Sequence, residues 1–229
     1  MMECCMGMEA YAEALQYTEE LLSLTEKPEY YNNAAVASAY TGNYTNAEYY
    51  LEKARNLQGD QMDLNKTLAE IKASKGEYEE AIAIYQSLQT EGSNGVILRK
   101  IAVLALKASE EQSGYAELAV TSYEKLLAGQ NAFYADRMNL VTAYSKCGMN
   151  EKALALLQEM QVLYPNNYES FARAAILRYN QELKKTPAER DFSKTRKNAE
   201  KAIQLYDSAF SKEIDEQIES LRQLLETLP

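Results

Sequence analysis

A chain of 229 residues with 46 % hydrophobic and 25 % charged residues has the composition of a folded protein, which excludes wholesale disorder. Lys and Arg total 24 against 34 for Asp and Glu, a formal charge of −10 that disfavours phosphate backbones and hence nucleic acid. There is no His, so the commonest metal ligand and the commonest general base at neutral pH are both missing.

Residues 1–27 read as a partial unit. Cys5-Met6-Gly7-Met8 resembles Lys146-Cys147-Gly148-Met149, the end of one helix and its turn, and Tyr11, Ala14 and Thr18 parallel Tyr44, Ala47 and Leu51 at an offset of 33. The helix that should precede that turn is missing, so the chain is expected to be a piece of a longer protein.

Residues 28–61 and 62–94 follow as two full units. Gly42, Tyr44 and Ala47 recur as Gly76, Tyr78 and Ala81, each 34 residues on. A fixed period of this kind marks a repeat architecture. Residues 95–133 form the next unit, with a first helix over 96–109 and an extra loop, Glu110–Ser113. Gly114 and Ala119 recur at Gly148 and Ala153, again 34 apart, in the unit at 134–167.

That unit shows the plan most clearly. Leu140, Val141 and Tyr144 recur at helical spacing over Tyr134–Lys146, Gly148 breaks the helix, and a second helix with Ala153, Leu156, Leu157 and Met160 stops before Pro165. The last unit, 168–208, carries a polar insertion near Lys184–Asp191. Its basic stretch, Lys184 to Lys201, is interrupted by Glu189, Asp191 and Glu200 and reads as a solvated helix face. Residues 211–228 form one amphipathic helix, with Ile214, Ile218, Leu221, Leu224 and Leu225 on its apolar face, suited to capping the array.

Small residues have a physical role here: two helices pack closely only if one presents Ala or Gly at the crossing. Ala47, Ala81, Ala119, Ala153 and Ala199 are expected there, with Leu51, Tyr85, Tyr123, Leu157 and Ile203 reaching into the neighbour four residues later.

Leu140, Val141, Tyr144, Gly148, Ala153, Leu157 and Pro165 together resemble the tetratricopeptide repeat pattern, and the likeness extends over about residues 28–208. Asn65 and Arg137 depart from it, standing where the family prefers a large apolar residue. The resemblance implies an all-α fold: a right-handed superhelical solenoid of antiparallel helix pairs, about five repeats with a partial N-terminal unit and a C-terminal capping helix. It also implies that first helices line a concave groove, where Tyr40, Lys66, Arg99, Val103, Asn139, Thr142, Arg173 and Tyr179 are the candidate ligand-binding residues, with Glu70, Lys107, Met138, Ala172 and Ile176 at neighbouring concave positions. Arg99, Asn139 and Arg173 partly echo a known carboxylate clamp of the family, but Val103 and Glu169 stand where that clamp needs Asn and Lys.

The expected function is a non-enzymatic scaffold for a protein or peptide partner. No phosphate-cradling glycine loop, nucleophile elbow or paired metal ligands occur, so no catalytic residue, metal or cofactor is expected. The alternatives are a regulatory or sensory segment of a larger signalling protein, such as a membrane-tethered kinase or transcription regulator, and a homo-oligomer built by stacked repeat ends. Cys4, Cys5 and Cys147 have no metal-ligand spacing and fit a reducing compartment, with the cytoplasm as the expected location. No apolar run is long enough to insert into a membrane.

Overall fold

The computed structural model describes residues 8–89, 95–130, 132–209 and 215–228. Among these residues there are twelve α-helices and no strand, giving an all-α helical repeat of the solenoid class. Cα packing divides the chain into two compact units, Met1–Asn131 and Ala132–Pro229. Cys4, Cys5, Gly7, Ile214, Lys212 and Glu213 lie outside the described residues.

The first unit contains α1 (Met8–Leu24), α2 (Pro28–Tyr40), α3 (Tyr44–Asn56), α4 (Gln61–Ser74), α5 (Tyr78–Ser87), α6 (Gly95–Ala108) and α7 (Tyr115–Ala128). Pro28 opens α2, where its fixed φ suits the helix and its missing N–H costs nothing. Asn43 and Asp60 cap α3 and α4 through their side chains, accepting from the N–H groups of Asn46 and Asp63 at 3.2 and 3.0 Å.

The end of a first helix is built the same way three times. Gly42, Gly76 and Gly148 have φ of 78°, 82° and 71°, a left-handed conformation that a Cβ disfavours. The N–H of each following residue then reaches back five positions, Asn43 to Ser38, Glu77 to Lys72 and Met149 to Tyr144, at 2.9, 2.9 and 2.8 Å. These bonds occupy carbonyls that a helix end would otherwise leave unpaired. Gly114 does not share this role despite its 34-residue spacing from Gly148. Its φ is −59° and it sits at the start of α7, because the inserted residues after α6 make a different turn.

The second unit contains α8 (Tyr134–Lys146), α9 (Asn150–Leu163), α10 (Tyr168–Leu183), α11 (Ser193–Ala209) and α12 (Glu216–Thr227). Between α10 and α11, a 3-10 turn at Pro187–Glu189 carries the polar insertion. Glu182 ties it down by accepting from Lys185 Nζ at 2.7 Å and from the Asp191 N–H at 2.8 Å.

The expected crossing alanines, Ala47, Ala81, Ala119, Ala153 and Ala199, are all fully buried. Leu51, Tyr85, Tyr123 and Leu157 are buried beside them, and Ile203 is half-buried against the core of α10–α12. Ile218 and Leu221 of α12 are buried in that same core, and Leu224 and Leu225 pack on it, while Glu216 and Glu219 face solvent. Arg137 keeps its place in the α8–α9 hairpin by ion-pairing its guanidinium with Glu159 at 2.8 Å.

Met138 and Ala172, expected on the groove, are buried instead. Each sits two residues before a buried residue, Leu140 and Ala174, so the apolar stripe of these helices is wider than a single-face register assumes.

Neighbouring hairpins are joined by hydrogen bonds at near-repeat spacing. Tyr40 with Glu70 and Tyr44 with Ser74 are 30 apart, Thr142 with Arg173 is 31, and Tyr134 with Asn167 is 33. Successive hairpins therefore touch along their length, as a stacked repeat requires.

Candidate functional site

A groove of about 480 Å³ opens on the first unit, where the last turns of α2, α4 and α6 come together with the start of α5. Lys100, Val103 and Lys107 of α6 lie at helical spacings of three and four, which puts them on one wall. Tyr40 and Glu70 come from α2 and α4, and Tyr78 from the first turn of α5.

Glu70 organises the floor. Its Oε2 accepts from the Tyr40 hydroxyl at 2.5 Å, and its Oε1 accepts from the Tyr85 hydroxyl at 2.5 Å and from Lys100 Nζ at 2.6 Å. Its side chain is 16 % exposed, against 44 % for Lys100, so the pair is partly shielded from water. Burial pushes the Glu70 carboxyl up, but the Lys100 ammonium and the donated hydrogen bonds outweigh it and hold the group below its ordinary value. The same contact acts oppositely on the phenols. Burial first, then the charge of Glu70, raises both Tyr40 and Tyr85 above the usual tyrosine range. With all three donors engaged, Glu70 is held as a charged acceptor, an arrangement that fixes geometry and leaves it poorly placed as a proton-abstracting base.

The sequence-expected residues divide between the two units. Tyr40 and Val103 both line this groove, but Tyr40 offers it little free surface. Its ring stacks on Tyr11 at 4.4 Å between centroids, with planes 9° apart, and its hydroxyl is committed to Glu70. Lys66 is away from the groove and pairs with Asp63 at 2.9 Å, one turn back along α4. Arg99 is half-buried on α6, beside Lys100 and outside the groove lining.

In the second unit, Arg173 of α10 donates to the Thr142 hydroxyl of α8 at 2.9 Å. Glu169, one turn earlier on α10, accepts from the Tyr134 hydroxyl at 2.9 Å. Asn139 is half-buried on α8, one turn before Thr142. Tyr179 lies against Phe192, with centroids 5.6 Å apart, so its ring packs on the end of the inserted loop.

Sequence reading passed over Lys100 and the grouping around Glu70. A signal was available: Tyr40, Glu70 and Lys100 are 30 residues apart in turn, one helical turn short of the 34-residue period, so each lies on the next first helix within reach of the one before.

A family model described as PPR repeat matches residues 138–163, which take in most of α8 and all of α9. No curated protein sequence matches the chain. Among solved structures, the C-terminal part of a TPR repeat-containing protein from Cytophaga hutchinsonii aligns with TM-score 0.69 at 20 % identity, over 88 % of this chain and 76 % of that one. MamA from Desulfovibrio magneticus RS-1 aligns with TM-score 0.63 at 16 % identity, over 81 % and 98 % of the two chains. YrrB, described as a TPR protein with an unusual peptide-binding site, aligns with TM-score 0.61 at 16 % identity, over 97 % and 100 %. Recurrent glycine turns, buried crossing alanines and these likenesses agree: the chain has the antiparallel-hairpin repeat fold of tetratricopeptide-type proteins.

Proposed function

We propose that the chain is a non-enzymatic scaffold that binds an extended peptide segment of a partner protein in the first-unit groove. The observation that carries this reading is the wall of α6. Val103 offers apolar surface there, while Lys107 brings positive charge to a chain whose formal charge is −10. Because Glu70 is neutralised by Lys100, its carboxylate does not cancel the attraction of Lys107 for an incoming acidic group. A peptide with a carboxylate next to an apolar side chain fits this combination, with the phenols of Tyr44 and Tyr78 along the rim.

A long polyanion is a poorer fit, since most of the surface it would contact is acidic. No helix among the described residues is long and apolar enough to cross a membrane. The structural likeness to YrrB supports the reading only in that the same fold hosts a peptide site in another protein.

The test begins with peptides selected from a random library against the full chain. Lys107→Glu and Val103→Glu should each weaken a selected peptide about tenfold or more, which corresponds to about 1.4 kcal/mol. Their far-UV circular dichroism should match the parent protein. Undiminished binding by both variants would place the site elsewhere.

A further inference from the structure

A second and larger groove, of about 820 Å³, lies within the second unit on the side of the second helices. Its walls come from α9 and α11, with α10 between them. Along α11, Lys194, Lys197 and Lys201 follow at spacings of three and four, so they form one continuous stripe. Arg178 of α10 joins them, and Glu200 is the one carboxylate among the lining residues. Four cations facing one anion is a local reversal of the sign of the whole chain.

The groove also has a built interior. The half-buried ring of Phe171 packs against the core of α10–α12 and gives the floor an apolar spot. Gln161 is fixed on the opposite wall, donating to Asn198 Oδ1 at 3.1 Å and to the Ser170 carbonyl at 3.3 Å. The Nε of Arg178 is buried and has no hydrogen-bond partner among the described residues.

Among the described residues, some lysines elsewhere in the chain are ion-paired and others, such as Lys125, are not. Lys75 pairs with Glu48, Lys72 with Glu77 and Glu80, and Lys185 with Glu182. Lys197 and Arg178 carry no ion pair among the described residues. Gathering cations without partners costs repulsion that a solvated surface helix could avoid by alternating signs.

We propose that this groove is a second docking site, independent of the first-unit groove, and that it takes a short acidic peptide segment of a partner protein. The length of the stripe sets the match. From Lys194 to Lys201 the helix rises about 10 Å, which is about three residues of an extended chain. Two or three carboxylates in a short run, with one apolar side chain over Phe171, satisfy both the charge and the floor. At physiological salt the screening length is about 8 Å, so such a segment responds to the groove rather than to the distant acidic surface.

The probe is a fluorescein-labelled octapeptide of seven glutamates with a central leucine, read by anisotropy with the full chain. A glutamine version of the same peptide and labelled octauridylate serve as comparisons. The glutamate peptide should bind, should weaken as salt is raised, and should lose about tenfold or more in affinity with Lys197→Glu. Lys125→Glu, an equal charge change on the exposed side of α7, should leave that affinity within about twofold. Binding unaffected by Lys197→Glu, lost equally in Lys125→Glu, matched by the glutamine peptide, or exceeded by octauridylate would each overturn the proposal. Because Lys197 is exposed, its reversal leaves the fold intact, and coincident melting curves for the Lys197→Glu and Lys125→Glu variants check this.

Discussion

Glu70 does more than any other residue to set the shape of the first groove, because one carboxylate joins three helices. Tyr40, Tyr85 and Lys100 donate to it from α2, α5 and α6. Glu70→Ala should therefore cost about 1–3 kcal/mol, since it strands the buried Tyr85 phenol and the half-buried Tyr40 phenol, while the more exposed Lys100 can turn to water. Glu70→Gln keeps the shape but loses the charge and should cost less; thermal melts of both variants give the comparison. The depressed carboxyl also fixes the sign of a pH effect. The folded state holds this group below its unfolded value, so the stabilisation is full above the ordinary glutamate range and disappears as pH falls through the folded value. Acid titration of stability should accordingly be shallower in Glu70→Gln than in the parent. The sequence marked Tyr40 and Glu70 as groove positions but could not show that they bind each other. Side-chain partners from different repeats become visible only once the register between hairpins is known.

At the scale of the helix pair, small residues and glycine turns decide the geometry. Ala81 and Ala153 are fully buried at their crossings, so Ala81→Leu or Ala153→Leu should overpack by about 1–3 kcal/mol. In a protein of this size that lowers the melting temperature by about 3–10 °C. The glycines separate more sharply. Gly76 and Gly148 hold left-handed φ, and alanine at either should cost about 1 kcal/mol. Gly114 has a right-handed φ and open space around its α-carbon, so Gly114→Ala should be neutral or slightly stabilising. Differential scanning calorimetry of the three alanine variants tests whether spacing or backbone conformation governs. Helix boundaries were legible because Pro28, Gly42, Gly76, Gly148 and Pro165 punctuate the chain. Gly114 was misleading because a period of 34 says where a residue recurs, and the inserted loop changed what the backbone does there. The burial of Met138 and Ala172 has a similar origin. Sequence fixes the helical period, while the width of the buried stripe depends on how many neighbours each helix touches.

For the whole molecule, charge distribution is the feature that separates the two proposed binding grooves from bulk. An acidic chain carries positive residues in two grooves, one at Lys107, beside the Lys100–Glu70 pair, and one at Lys194, Lys197 and Lys201. Helical spacing and a 34-residue period were readable in the sequence, and the resemblance to the tetratricopeptide pattern implied the all-α repeat fold. The second groove was not readable, because Lys184 to Lys201 looks like an ordinary solvated run until α9 and α10 supply its other walls. Peptide capture by the first helices is the central functional claim, and hydrogen–deuterium exchange of the full chain with a library-selected peptide tests it most directly. Binding should slow exchange in the turn from Ala73 to Tyr78 and along Lys100 to Lys107, leaving α3 beyond its first turn unchanged. Slowing confined to second helices such as α3 and α7, or no slowing at α6 under saturating peptide, would contradict it.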